Sequence, residues 1–434
     1  MAAVKANRVR NLELITPSTL IVGVDGHSKS NTAAFYPASG GEAIRPKKFG
    51  NDRKGFLELL ERVNAVAERN DLDKVIFVLE PNGPYWVLLA KFLSERDYTV
   101  KVVSALQVKR NRETEDCSTN KNDWRDARSA ADLGRQGKFN DTTLPGPIYE
   151  DLRSLARARE DLVEGRSAQK HRLRTELVRA FPELSGCVKD VCGKGVTALL
   201  KVAPTAEAVA SLGVDEVAKV LKEATKGRLG KAKAIEMVMA AQTSVGYAVA
   251  SRALRLQMNS ILRMVEVATV EIEQLEAEMW GLLSSTEEGA LVLSIPGIGE
   301  IGAATILGET GGLKQYRNPN QIRKLAGLDL VGKQSGDRQS DLRISKRGRK
   351  LLRKVLYQVA VASLRCNQAT VIYYTRLREE GRRKTLKKKE ALVAVMGKMI
   401  EIMFSIVRSG KAFDPEHKWI APGTRANRME AVAA

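Results

Sequence analysis

Histidine and cysteine are scarce in this chain of 434 residues: His27, His171 and His417 are its imidazoles, and Cys117, Cys187, Cys192 and Cys366 its thiols. The cysteines form no CxxC pair, so neither a zinc cluster nor a disulfide framework is expected, and reduced intracellular thiols are the default. No histidine is placed by its sequence context to act as a general base. Long apolar runs are also missing. Nothing approaches the ~18 residues a membrane span requires, the segment MAAVKANRVRNLELITPS has no apolar core of a secretory signal, and no lipidation motif is present. A soluble, cytoplasmic protein with no membrane partner is expected, long enough for two or three domains.

What the chain has in excess is positive charge, a formal net of +20. Between Lys333 and Lys411 there are 21 Lys and Arg against 6 Asp and Glu, a net of +15. Three quarters of the excess therefore sits in under a fifth of the chain, which reads as a polyanion-binding surface more than as a merely solvated face.

Residues 18–145 read as an α/β domain. Strand-like runs near 20–25, 31–36, 74–79 and 99–103, with a further short extended piece, alternate with the helical spacings of FLELLERVNAVAER and YWVLLAKFLSER. That order suits a mixed sheet with helices packed on it. Residues 146–285 turn to long helix. DLRSLARAREDLVEGRSAQKHRLRTELVRAF carries Leu152, Leu155, Leu162, Leu173 and Leu177 on an apolar side interrupted by Gly165, and Arg166, Lys170 and Arg174 recur along it as a candidate backbone-tracking stripe or, with Glu160, Asp161 and Glu164 nearby, a solvated face. Leu254, Met258, Ile261, Val265, Ala268, Ile272, Leu275, Met279 and Leu282 step by four and three, a coiled-coil seam expected to face the first long helix, another protomer, or both. Residues 185–250 between them read as a small helical insertion, and 412–434 as a flexible tail.

Within the first domain, Asp25 ends LIVGVD and Glu80 ends VIFVLE. Neighbouring buried strands would set these acids side by side. In KNDWRDARSAADLG, Asp123 and Asp126 share one helical face. Taken singly, such acids are turn residues or solvated helix positions. Ordered together in one strand-rich segment, they have the pattern of a ribonuclease H-like metal site for Mg²⁺ (or Mn²⁺) and phosphodiester chemistry.

The region 286–411 opens with LSIPGIGEIGAATILGE, whose PGIG turn has the form of a helix-hairpin-helix. KQSGDRQSDLRISKRGRKLLRKVLYQVAVASL follows, dense in candidate nucleic-acid contacts: Lys333, Arg338, Arg343, Lys346, Arg347, Arg349, Lys350, Arg353 and Lys354. Its helix is expected to bury Leu352, Val355, Leu356 and Val359. Ser345 reads as that helix's N-cap and Ser340 as a solvated loop residue. Ser335, followed by Gly336 and flanked by cations, reads as a turn serine or as a nucleophile.

The ordered set GVDGHSK, LEPNGPYW, KNDWRDA, IPGIGEIGAATILGE, GLD, QSG and ISKRGRKLLRK resembles the DEDD, RuvC-like transposases of the bridge-RNA-guided insertion-sequence family, relatives of the pilin-gene invertases. The resemblance implies a RuvC-like first domain, a central coiled coil and a C-terminal serine transposase domain. It implies Asp25, Glu80, Asp123 and Asp126 as catalytic metal ligands and Ser335 as the nucleophile that becomes covalently joined to DNA. Its implied partners are double-stranded donor and target DNA, a structured guide RNA, and further copies of the chain in a dimer or tetramer with composite active sites. Asn82 and Asn122 stand where a threonine is common in the family. The principal alternative is a metal-dependent structure-specific nuclease with water as nucleophile. An actin-like kinase or ATPase lacks a second phosphate loop here, and a non-catalytic RNA-binding protein would leave the acids without a role.

Overall fold

The computed structural model describes residues 2–40, 44–81, 83–116, 122–141, 144–247, 252–332, 334–335, 338–339, 343–379 and 385–416. They form two compact units, Met1–Leu144 and Pro145–Ala434.

In the first unit, α1 (Ala2–Glu13) precedes β1 (Thr19–Gly26), β2 (Ser30–Pro37), β3 (Ile44–Gly50), α2 (Arg53–Arg69), β4 (Lys74–Leu79), α3 (Tyr85–Ser94), β5 (Thr99–Val102), α4 (Ala105–Asp116), α5 (Asp123–Arg135) and β6 (Asn140–Asp141). The strands make one mixed sheet in the order β3-β2-β1-β4-β5-β6. β1 runs antiparallel to β2 and parallel to β4, which runs parallel to β5. Both faces are covered, so the central strands are near-continuous apolar runs. Alternate side chains separate the two faces. Leu20, Val22, Val24, Phe77 and Leu79 pack with α2 and α3, whereas Ile21, Ile76 and Val78 pack with α4 and α5. A Cβ on Gly23 would fall on the Ala127 carbonyl and the Ala131 backbone, so glycine there lets α5 lie directly on β1.

The strands and helices expected within 18–145 are present, together with β6 and two helices that the periodicity does not mark, α1 before that range and α4 within it. α1 is held by Asn11, whose Nδ2 donates to the carbonyls of Gly137 (2.9 Å) and Phe139 (2.8 Å). α4 is highly charged and carries too little apolar periodicity to be conspicuous.

The second unit begins with α6 (Pro147–Ala180), followed by α7 (Leu184–Cys187), α8 (Lys194–Val202), α9 (Ala206–Thr225), α10 (Lys231–Gln242) and α11 (Arg252–Ser284). α6 runs unbroken through Gly165, an exposed position with open space around it; a glycine there costs propensity without breaking a helix held by packing. α6 and α11 pack antiparallel, as their cross-links require: Arg159 to Glu276 at 2.6 Å, Arg166 to Thr269 at 3.3 Å and Gln257 to Glu176 at 2.9 Å. Leu173 and Leu177 share a core with α7–α10 and with Leu254, Met258 and Ile261. At the other end of the pair, Leu152, Met279 and Leu283 join the core of the remaining helices.

Those are α12 (Glu287–Leu293), α13 (Glu300–Thr310), α14 (Pro319–Leu325), α15 (Lys350–Cys366), α16 (Gln368–Arg378) and α17 (Lys388–Ser409). The described residues between α14 and α15 include four two-residue strands: β7 (Leu330–Val331), β8 (Gln334–Ser335), β9 (Arg338–Gln339) and β10 (Arg343–Ile344). The PGIG turn joins α12 to α13, and Gly297, at φ +97°, leaves no room for a Cβ against Ser363 of α15. No helix among the described residues is long and apolar enough to cross a membrane.

Candidate metal centre and nucleic-acid interface

The parallel register pairs Val24 with Leu79, and the Glu80 amide donates to the Val24 carbonyl at 3.2 Å. Asp25 and Glu80 are therefore the next residues out on adjacent strands, in step with Ile21 and Gly23 and with Ile76 and Val78 on the α4–α5 face. α5 starts at that edge. Asn122 caps it, its side chain accepting from the Trp124 amide at 3.1 Å; asparagine is at least as good a cap as threonine, which accounts for the departure at this position. Asp123 and Asp126 then occupy the first turn, where the helix dipole favours negative charge. Asp25, Glu80 and Asp126 are 1%, 6% and 3% exposed. Gly83, at φ +55°, turns the chain after Glu80 toward α3, while Asn82 lies outside the described residues.

Two groups stand at this edge that the sequence reading passed over. Nε2 of His27 lies 3.3 Å from a carboxylate oxygen of Asp25 and 3.3 Å from one of Asp123, so a histidine stands beside the acids although its sequence context marked none as a general base. The signal was present: His27 is two residues beyond Asp25 on an extended chain, hence on the same face. Arg112 of α4 is the other, a buried guanidinium paired with Asp126. It sits in a charged helix with no motif to mark it. Atoms of Asp25, His27 and Asp123 lie within 4.8 Å of one another, an oxygen-rich set that fits a divalent cation.

In the second unit the candidate cations divide by what surrounds them. Glu309, 1% exposed at its side chain, accepts from Arg157 at 2.7 and 3.2 Å and from Arg349 at 3.3 Å. Arg153 donates to the Gly308 carbonyl at 2.9 Å, and burial, with Arg349 close by, brings its guanidinium down to about 10 although Glu309 offsets part of the shift. Arg353 donates to the carbonyls of Ala326 (2.9 Å) and Lys346 (3.3 Å), and Lys354 pairs with Glu160. Arg166 reaches Thr269, and Arg174 lies 3.7 Å from Asp190. Lys170 is half-buried. Arg343, Lys346, Arg347 and Lys350 are exposed, Lys350 within 3.9 Å of Glu164.

Lys333 and Ser340 lie outside the described residues, and for Ser335 and Arg338 the backbone alone is described, as partners in the β8–β9 hairpin. Ser345 is not the helix cap expected of it. α15 starts only at Lys350, after Arg349, because Lys346 adopts a left-handed φ of 53° and its amide bonds the Gly327 carbonyl at 3.0 Å.

Two family models match the chain: one described as a transposase over residues 22–182, the other as the transposase IS116/IS110/IS902 family over residues 289–375. The chain is 24% identical over 398 residues to the 44.8 kDa protein of insertion element IS116 of Streptomyces clavuligerus, covering 91% of this chain and 96% of that protein. Over 376 residues it is 23% identical to the 42 kDa protein of insertion element IS900 of Mycobacterium paratuberculosis, covering 86% and 92%. It is also 29% identical over 151 residues to the pilin gene-inverting protein of Moraxella bovis, covering 33% of this chain and 45% of that protein. The models take in both the acidic ends of the strands and part of the cationic helical unit, and the IS116 and IS900 proteins align along most of the length: the chain belongs to the IS116/IS110/IS902 transposase family and is a DNA transposase or recombinase.

Proposed function

We propose that this transposase cleaves and rejoins DNA through a covalent seryl-DNA intermediate, guided by a structured RNA, with Asp25, Glu80, Asp123 and Asp126 holding Mg²⁺ or Mn²⁺. The observation that supports the reading is the approach of Asp25 and Asp123, with ligand atoms within 4.8 Å of one another, beside Glu80 at the end of the adjacent strand and Asp126 on the same turn of α5. A divalent ion there supplies charge neutralisation at a scissile phosphate and lowers the cost of ionising a hydroxyl.

Ser335 Oγ attacks phosphorus as its proton leaves. An Oγ–P bond forms, a P–O bond to one deoxyribose breaks, and the departing sugar oxygen is protonated. The seryl ester keeps the phosphodiester's energy for rejoining, which hydrolysis would discard. The exposed Arg343, Lys346, Arg347 and Lys350 neutralise DNA or RNA phosphates. In the composite site that the family resemblance implies, one protomer lends its acids to the serine of another in a dimer or tetramer. The half-buried middle of α11, with Met264, Val267 and Val270 exposed, supports association through that helix. Substrate and guide place the protein in the cytoplasm.

The test is adduct capture. Ser335→Ala should abolish recombination and the protein–DNA adduct while DNA and RNA affinities stay within about threefold, under ~1 kcal/mol. An adduct that persists in Ser335→Ala moves the nucleophile elsewhere. Cleavage without any adduct in the parent protein favours a nuclease that uses water, and the absence of a discrete RNA co-purifying with the protein removes the guide.

A further inference from the structure

The four-acid reading leaves His27 without a role, yet this side chain has the most pointed geometry at the sheet edge. Its ring is 40% exposed, but Nε2 itself is shielded from solvent and makes no hydrogen bond among the described residues. That nitrogen lies 3.3 Å from carboxylate oxygens of both Asp25 and Asp123. A ring nitrogen carries at most one proton and cannot donate well to two acceptors, and 3.3 Å is long for either bond. The position is that of a donor atom facing the same space as the two carboxylates.

The backbone around His27 is held. Its amide donates to the Ser30 carbonyl at 3.1 Å, and Asn51 Nδ2 donates to the His27 carbonyl at 3.1 Å, with Asn31 Nδ2 donating to Asn51 Oδ1 at 3.1 Å in turn. The loop between β1 and β2 therefore presents the ring from an anchored main chain, as ligands need.

We propose that His27 is a nitrogen ligand of the divalent-metal centre, and that it biases this enzyme toward a transition-metal ion, Mn²⁺, over Mg²⁺. The inference rests on the metal-centre reading above and goes beyond it. With atoms of Asp25, His27 and Asp123 all within 4.8 Å of one another, small side-chain rotations bring them onto one cation. Mg²⁺ demands oxygen ligands in near-ideal octahedra and gives up water reluctantly, whereas a carboxylate site with one imidazole suits the first-row ions.

The experiment uses the full chain, stripped of metal and titrated calorimetrically with MnCl₂ or MgCl₂, together with pulsed electron paramagnetic resonance of the Mn²⁺-loaded protein. Mn²⁺ should bind the parent at least about tenfold more tightly than Mg²⁺. His27→Ala should weaken Mn²⁺ about tenfold and Mg²⁺ less than about threefold. His27→Asp, an all-oxygen set, should shift the ratio toward Mg²⁺. The parent's Mn²⁺ spectrum should carry imidazole nitrogen coupling, absent in His27→Ala and retained in His171→Ala and His417→Ala. A parent spectrum without that coupling needs no variant to interpret and overturns the assignment, as does an unchanged Mn²⁺/Mg²⁺ ratio in His27→Ala; in both cases the metal centre itself survives. If neither ion binds the parent, the metal-centre reading fails and this inference fails with it.

Discussion

Charge is handled in opposite ways by the two units. In the first, the ends of β1 and β4 and the start of α5 gather acids: Asp25, Glu80 and Asp126 are buried there with Asp123 on the same turn of α5, and one buried cation, Arg112, pairs with Asp126. In the second, a surplus of cations is dispersed, and much of it is taken up inside the unit by Glu309, Glu160 and backbone carbonyls. Clustered like charge is costly to fold and points to a ligand that relieves it. Dispersed, paired charge stabilises the fold and leaves a smaller set of residues for an external polyanion. A local excess of Lys and Arg therefore overstates the size of a nucleic-acid surface.

The contrast breaks most sharply at the acids. Asp25→Asn should reduce strand cleavage on the order of 100-fold or more at millimolar Mg²⁺ or Mn²⁺, with no loss of melting temperature, since it removes a charge from a crowded edge. Retained cleavage would show that the edge is structural only.

In the second unit the corresponding carboxylate should behave as a structural element. Glu309→Ala leaves Arg157 and Arg349 without their carboxylate partner and should destabilise the protein by about 3 kcal/mol in denaturant titration. Glu300→Ala, at the exposed start of α13, should stay within about 0.5 kcal/mol. Equal losses would erase the distinction between clamp and surface.

Gly23→Ala tests how α5 reaches the site. The added methyl must displace the helix from β1, and a cost of about 1–3 kcal/mol is expected, accompanied by weaker Mn²⁺ binding because Asp123 and Asp126 move with α5. Loss of stability with metal affinity intact would mean that the acids do not depend on that contact.

The smallest effect concerns the cations. Replacing Arg343, Lys346 and Arg347 together by Ala should lower the slope of log K against log[salt] for duplex DNA by about 0.9 per lost phosphate contact. Lys354→Ala should leave the slope unchanged, because its ammonium is paired with Glu160. A slope that responds to Lys354 and not to the exposed trio would invert the sorting of free from engaged cations.

Much of the first unit was legible because LIVGVD and VIFVLE are continuous apolar runs, the mark of strands buried on both faces, and an acid at the end of such a run is conspicuous. Asp123 and Asp126 were legible from their spacing on a helix. Arg112 was not, since a buried arginine in a charged helix has the same local pattern as a solvated one. In the second unit the heptad-like spacing of 254–282 marked α11, and the apolar face of α15 was expected where Leu352, Val355, Leu356 and Val359 are buried. The start of α15 was misplaced because tertiary bonds from Lys346 and Arg349 to the 325–327 turn hold those residues outside the helix.

Sequence alone determined the main strands of the first unit, the long helices and the choice of candidate acids, because these follow from hydrophobic periodicity and from residue chemistry at fixed spacing. Tertiary structure decided which charges meet. Parallel pairing set Asp25 beside Glu80, the absence of a Cβ on Gly23 brought α5 down onto β1, and the β1–β2 turn swung His27 over the two aspartates. Packing likewise chose which arginines face Glu309 and which face water. Such encounters join residues tens to hundreds of positions apart, and local propensity carries no information about them.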